Sequence, residues 1–337
     1  MDGHAPTPAA RETAGRVGVR DVARAAGVST QTVSRVINDH PHIRPETRSR
    51  VLDAMAELGY RVNNAARTLG TRTSRTLGVI ASDATLYGPS VGIAALEAAA
   101  RDAGRWTATA YADASAEASV RDAAERLLGQ GVDGLILLAP HAATLASLSE
   151  AYPGVAVAAL HVGPGAVRQE DGAMLAVSHL VELGHRRIGR VVGPADWIEA
   201  RSRDAGVARA IAEANLEPGP LWTGDWSAAS GAAVAGDIAA AVRNEPGPTA
   251  IAAANDQMAL GLIAGLRAAG LDVPGDVSVT GFDDNPDAAF YRPALTTVGL
   301  DLAGEARSAV AQVLGAPTPI VGDPRLFVRA STAPPRR

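Results

Sequence analysis

Between residues 19 and 60 the apolar positions recur at helical spacing. In VRDVARAAG (19–27) Val22, Ala25 and Ala26 lie at i, i+3 and i+4, which predicts a short helix, and Gly27 suits a tight turn because it tolerates a positive φ. Ser29 then reads as the N-cap of a second helix running to about Asn38, with Val33, Val36 and Ile37 as its buried stripe. Thr30, Gln31, Ser34 and Arg35 fall on the opposite face. A third helix opens at Pro45, carries Val51, Met55 and Leu58 on one side, and stops at Gly59. Three short helices with a glycine-bearing turn between the first two describe a helix-turn-helix unit.

From residue 76 the period changes. Short apolar runs at 77–81, 106–112, 134–139, 155–160, 187–193, 250–255 and 277–282 predict strands. Ala-rich helical stretches lie between them, over 91–103, 116–128, 174–183, 204–214, 228–243 and 256–269. Strands apolar on both faces and alternating with helices predict an α/β core of doubly wound parallel sheets, and their number suits two lobes. The segment 63–69, NNAARTL, is long enough for only about two helical turns and needs a partner to stay helical. Its arginine and Leu69 fit a minor groove, with Leu69 as a wedge between base steps; a plain linker whose Leu69 packs on the core fits equally.

Charge sharpens the division. All 31 basic residues are Arg, and the net charge of −5 is unevenly spread. Residues 1–75 hold 12 Arg against 7 Asp and Glu, a net of +5, and the remainder 19 Arg against 29 acids, a net of −10. A basic head on an acidic body points to a polyanionic partner for the head alone. A helix that reads a major groove needs a slim outer face rich in donors and acceptors. Gln pairs with adenine, Arg with guanine, and Thr or Ser with phosphates or base edges. The exposed face of the second helix carries these residues and no Glu or Lys.

With no cysteine in 337 residues, disulfides, thiolate metal sites and cysteine nucleophiles are excluded. No stretch approaches the roughly 20 uncharged apolar residues that span a bilayer, so no membrane partner is expected. Residues 1–16 lack the apolar segment of a signal peptide and read as a disordered tail, which predicts a cytoplasmic protein. No metal or other cofactor is implied.

Ligands of open α/β sheets bind beyond the carboxyl ends of the strands. Ser82, His161, Asn255 with Asp256, and Asp283 with Asp284 stand there. EARSRDAG (199–206) adds Arg201 and Arg203, and GDWSAASG (224–231) adds Trp226. A guanidinium offers forked donors to vicinal hydroxyls, a carboxylate accepts from them, and an indole covers the apolar face of a pyranose. The duller reading makes these residues helix caps, surface ion pairs and core.

Seven motifs in order, DVARAAGVSTQTVSRVIN, AMAELGY, HLVELGHRRI, GDWSAASG, ANDQMALG, VSVTGFDD and PALTTV, make the chain resemble the lactose-repressor (LacI/GalR) family of bacterial transcription regulators over nearly all of 18–334. TQTVSRVIN, GDWSA, ANDQMALG and DATLYGPS resemble most the branch that gives the family its name. The resemblance implies a headpiece at 17–61, a hinge at 62–75 and a periplasmic-binding-protein-like core at 76–334. Its N-lobe would span about 76–167 and 301–322, and its C-lobe about 168–300 and 323–334. It also implies a homodimer on pseudo-palindromic double-stranded operator DNA, and repression relieved by a small sugar of galactoside or glucoside type. Thr30, Gln31, Ser34, Arg35 and Asn38 would read DNA, with Asn63 and Leu69 in the hinge. Ser82, His161, Arg203, Trp226, Asn255 and Asp283 would hold the effector, with Leu86 and Pro89 beside them, and His185 would be structural.

The chain departs from the family at four places. Val62 replaces a proline before the hinge, which implies a looser start to it, and His161 replaces an aspartate of the sugar pocket. Leu300 and Leu302 replace a glutamine and an aromatic near the lobe crossover. The ending STAPPRR has no heptads to form a tetramerising coiled coil, leaving a dimer as the expectation.

Three alternatives remain. A nucleoside, purine or phosphorylated sugar could serve as corepressor, although a phosphate would want a glycine-rich strand-to-helix turn or more clustered arginines. A glycosidase using Asp283 and Asp284 is disfavoured, because neighbours on one strand face opposite ways. An exported sugar-binding protein would have no use for the head.

Overall fold

The structure is a computed structural model that describes residues 17–38, 40–61, 73–82, 84–113, 115–138 and 141–336. The tail at 1–16 and the hinge positions Val62, Asn63 and Leu69 lie outside the described residues. The chain divides into two units, 1–74 and 75–337.

In the first unit α1 (Val19–Ala26), α2 (Thr30–Ile37) and α3 (Pro45–Glu57) enclose a small core centred on the fully buried Val22, Val33 and Val51. Gly27 adopts φ +62° and ends α1, as its position predicts. Ser29 Oγ accepts the Thr32 N–H at 3.1 Å, so α2 begins where the serine can satisfy one of its orphan donors. One expectation changes: α1 buries Val22, Ala23 and Ala26, while Ala25 is exposed. With so small a core, α1 turns consecutive residues, rather than a wide i, i+3, i+4 stripe, toward its neighbours.

The second unit holds two parallel sheets. β1 (Thr76–Ala81), α4 (Tyr87–Asp102), β2 (Trp106–Tyr111), α5 (Glu117–Gly129), β3 (Leu135–Leu137), α6 (Ala142–Ala151) and β4 (Val157–Ala159) build the first, with strand order β2-β1-β3-β4. The chain crosses at 160–163 into α7 (Pro164–Glu182), β5 (Ile188–Val192), α8 (Ile198–Glu213) and β6 (Leu221–Thr223). It continues through α9 (Ala228–Ala233), α10 (Ala235–Arg243), β7 (Ala250–Ala253), α11 (Asp256–Ala268) and β8 (Ser278–Thr280), giving strand order β6-β5-β7-β8. A 3-10 turn at Pro286–Phe290 leads to β9 (Thr297–Gly299). From there α12 (Leu302–Leu314) returns to pack on α4 and β4 of the first lobe, and β10 (Arg325–Phe327) comes back to pair antiparallel with β9. Three chain segments therefore pass between the lobes.

Each apolar run forms a strand, the first one residue longer than its run and the others trimmed, and the doubly wound expectation holds. Three helices start earlier than their apolar runs: α4 at Tyr87, α7 at Pro164, after Gly163 with φ +53°, and α8 at Ile198. The stretch 228–243 is two helices meeting at Val234. Close helix approach depends on glycine. A Cβ at Gly206 of α8 would run into the Glu170 carbonyl of α7, and one at Gly261 of α11 into the Ala228 carbonyl of α9. No described helix is long and apolar enough to cross a membrane.

Candidate functional site

On α2 the side chains of Thr30, Gln31, Ser34 and Arg35 are all exposed, while Val33 and Val36 are buried. The four polar groups form one outward face, as the helical spacing predicts. Asn38 ends the helix, and its Nδ2 donates to Ser34 Oγ at 3.4 Å. That bond makes Ser34 and Asn38 a linked pair at the C-terminal end of the face.

In the core a cleft of about 440 Å³, counting its open mouth, lies between the lobes. His161, Arg203, Trp226, Asn255 and Asp283 all line it. They come from the end of β4, from α8, from the loop after β6, from the N-cap of α11 and from the loop after β8. The carboxyl ends of four strands therefore converge here. Leu86, Pro89, Leu138 and Trp197 supply its apolar wall.

Arg203 is held on every side. Its Nε donates to Gln169 Oε1 at 2.7 Å, its Nη1 to the Ala254 carbonyl at 2.5 Å, and its Nη2 pairs with Asp283 Oδ1 at 3.0 Å. Its plane lies over Phe282, 3.9 Å from the ring centroid, with Trp226 at 5.5 Å. Clamping of this kind fixes a forked donor in advance, so little side-chain entropy remains to be lost on binding. Burial raises the Asp283 pKa although the Arg203 charge and hydrogen bond oppose the shift.

Trp226 takes φ +75°, unusual for so bulky a residue, and Asn255 holds it there. Asn255 Nδ2 donates to the Trp226 carbonyl at 2.9 Å, while its Oδ1 caps α11 by accepting the Met258 N–H at 2.8 Å. One amide thus starts a helix and aims an indole. The ring packs on Gly193, where any Cβ would strike it, and meets Trp197 edge-on at 5.8 Å. Its Nε1 is buried without a partner, a donor awaiting an acceptor.

His161 takes φ +61° and is buried. Its Nδ1 lies 3.0 Å from Gln169 Nε2 and 2.9 Å from Glu305 Oε2. Burial opposes its charge, but Glu305 and Glu199 outweigh burial and raise its pKa. The contact with Glu305 thus favours the charged form of the imidazole.

Ser82 stands apart from the other five. It lines a neighbouring hollow with Asp113, His141, Asp196 and Trp197, and its Oγ is buried without a partner. Trp197 is the wall between that hollow and the cleft. The strand-end rule located Ser82 but could not see the indole that intervenes. Leu300 and Leu302 face a third hollow, beyond Asp283 and Asp284. Arg201 is exposed and outside the cleft, because the buried face of α8 runs through Glu199, Ala200, Arg203, Gly206 and Val207. Asp284 turns away from Asp283 and pairs with Arg329 at 2.6 Å. The two acids lie beyond β8, both at positive φ, rather than on a strand. His185 bonds Thr249, Ser278 and the Ala333 carbonyl, well inside the second lobe.

Sequence reasoning missed Leu138, Trp197, Glu199 and Gln257 in the lining, and the supports Gln169 and Glu305 behind it. Glu199 is buried one helical turn before Arg203, and Gln169 and Glu305 brace Arg203 and His161 from behind. The i, i+4 spacing of Glu199 and Arg203 was the available signal. Among the described residues no group of His, Asp and Glu is arranged to hold a metal ion.

The family model of bacterial regulatory proteins, lacI family, matches residues 19–63, and that of a periplasmic binding protein-like domain matches 177–332. The lactose operon repressor of Escherichia coli (strain K12) is 37% identical over 288 residues, covering 83% of this chain and 79% of that protein. The chain belongs to the LacI family. Its first unit is the DNA-binding helix-turn-helix of the LacI family, and its second is the ligand-binding core. Another LacI-family relative, the HTH-type transcriptional repressor PurR of Haemophilus influenzae (strain ATCC 51907 / DSM 11121 / KW20 / Rd), is 32% identical over 291 residues, 83% of this chain and 85% of that one. Among solved structures, the lac repressor dimer bound to operator and the anti-inducer ONPF aligns with a TM-score of 0.80 at 34% identity, covering 94% of this chain and 99% of that one.

Proposed function

We propose that this LacI-family repressor acts in the cytoplasm as a homodimer and leaves its operator when an uncharged saccharide fills the inter-lobe cleft. The observation that carries this reading is the pairing of a pre-clamped guanidinium with an indole whose Nε1 has no partner, beside a buried carboxylate. Vicinal hydroxyls need forked donors and acceptors together, and a pyranose needs a flat apolar face. In the headpiece, Thr30, Gln31, Ser34, Arg35 and Asn38 read the major groove, and Asn63 and Leu69 reach the minor groove from the hinge. The structure of the lac repressor dimer on its operator supports the two-half-site arrangement.

No enzymatic role is proposed. Asp283 and Asp284 diverge to separate arginines, so they cannot flank one bond, and among the described residues no nucleophile stands beside a base in the cleft.

A second reading has one observation in its favour. Trp197 and Trp226 form an aromatic corner against which a purine or nucleoside could stack, and such a ligand would act as corepressor. A gel shift on an inverted-repeat duplex separates the two. A saccharide that releases the DNA supports the first reading, and a purine that tightens it supports the second. Arg203→Ala should keep operator binding and lose release, because ligand hydroxyls lose their forked donor. Normal release by that variant would remove Arg203 from the site.

A further inference from the structure

Four ionisable side chains line the cleft: His161, Glu199, Arg203 and Asp283. Three already have ionic partners. Arg203 meets Asp283 at 3.0 Å, and His161 meets Glu305 at 2.9 Å. Glu199 has none. It is only 6% exposed, in the first turn of α8, and its Oε2 is buried with no hydrogen-bond partner. A buried carboxylate oxygen left unpaired is among the most costly arrangements a protein can hold. Burial accordingly raises its pKa, against the opposing charge of His161. The helix N-terminus stabilises the negative form in part. His161 and Arg203 offset its charge from a distance, but among the described residues no group donates a hydrogen bond to Oε2.

Resting on the saccharide reading above, we infer that Glu199 is a specificity-determining residue: it accepts a hydroxyl of an uncharged sugar and makes the cleft reject anionic ones. The charge balance supports this. When ionised, Glu199 adds a negative charge that neither of the two ion pairs balances. A phosphorylated sugar or a uronate would bring a second unpaired anion into the same poorly solvated space. A neutral polyol brings O–H donors, which satisfy Oε2 at no charge cost. Glu199 and Arg203 stand at i and i+4, so they present an acceptor and a donor to one ligand from one helix face.

The test uses the full-length protein with Glu199→Gln and Glu199→Ala. Binding is measured by calorimetry and by release from an inverted-repeat duplex. The probes are lactose, cellobiose and methyl β-glycosides, with the matching uronates and 6-phosphates. Both variants should melt at or above the wild-type temperature, since each removes an unpaired buried acid. Glu199→Ala should bind the best uncharged probe at least tenfold more weakly. Glu199→Gln should lose little for that probe, and its preference for uncharged over anionic probes should shrink at least tenfold. Unchanged affinity and unchanged preference in both variants would overturn this role for Glu199 and leave the saccharide reading standing. So would a wild-type protein that prefers a 6-phosphate or a uronate to its uncharged parent. A wild-type protein that binds none of the saccharides would overturn both.

Discussion

At His161 one ring nitrogen faces two partners with opposite demands. Gln169 Nε2 can only donate to Nδ1, whereas the Glu305 carboxylate can only accept from it. The pKa directions favour the pairing with Glu305. For Glu305 too, burial opposes the shift, but the His161 and Arg168 interactions prevail and lower it. A histidine raised on folding stabilises fully below its ordinary 6.5, and the contribution fades as pH climbs through the folded value. A carboxylate lowered on folding stabilises above its ordinary 4.5, and the contribution fades as pH drops through the folded value. The pair is thus strongest between those limits. His161→Gln should flatten the melting-temperature profile above about pH 6.5, where the wild type declines. Parallel profiles would show that the pair contributes nothing. Residue-scale legibility followed the same logic. Trp226, Asn255 and Asp283 were readable because they stand just beyond apolar runs or in an aromatic-bearing loop, and Arg203 as one of the arginines of 199–206. Glu199 and Gln169 were not, since a polar residue inside a helix reads as solvent-facing until a second lobe covers it.

Elements carry their own predictions. α2 depends on the Ser29 cap, so Ser29→Ala should destabilise the headpiece by about 1 kcal/mol. Amide exchange over residues 19–57 of the full-length protein would then quicken about fivefold. Arg35→Ala should instead leave the fold intact and relax preference at one base pair per half-site by about 1–3 kcal/mol, read from operator variants. Two glycines of the second lobe should respond oppositely to alanine. At Gly261 the new methyl meets the Ala228 backbone, and overpacking should cost about 1–3 kcal/mol. At Gly236, inside α10, it meets open space, and helix propensity should add up to about 1 kcal/mol. Urea midpoints measure both. Elements were legible where apolar runs were long. β6, β9 and β10 are three residues each, like β3, β4 and β8, but lack the longer apolar runs in which those are embedded. The first halves of α7 and α8 are polar on the outside, and their apolar runs begin only where the sheet does.

For the whole molecule the cleft and the headpiece must answer to each other. A ligand shifts an equilibrium only by its differential affinity, so operator and cleft ligand must change one another's affinity by the same factor, commonly 5–150-fold. Titrating saccharide into free and operator-bound protein, and operator into empty and filled protein, should return one number twice. Two different numbers would break the two-state scheme. The division of charge along the chain makes operator affinity fall steeply with salt, while saccharide affinity for an uncharged ligand should barely move. The three passages between the lobes give the core a tolerance that a single connection would not. Residues 316–323 are largely exposed, and on either side α12 is anchored to α4 while β10 is anchored to β9. A protease nick there leaves both fragments in place, still embracing the same cleft. That loop is also where the core could be opened to give new termini and receive another protein, with its two halves staying clasped.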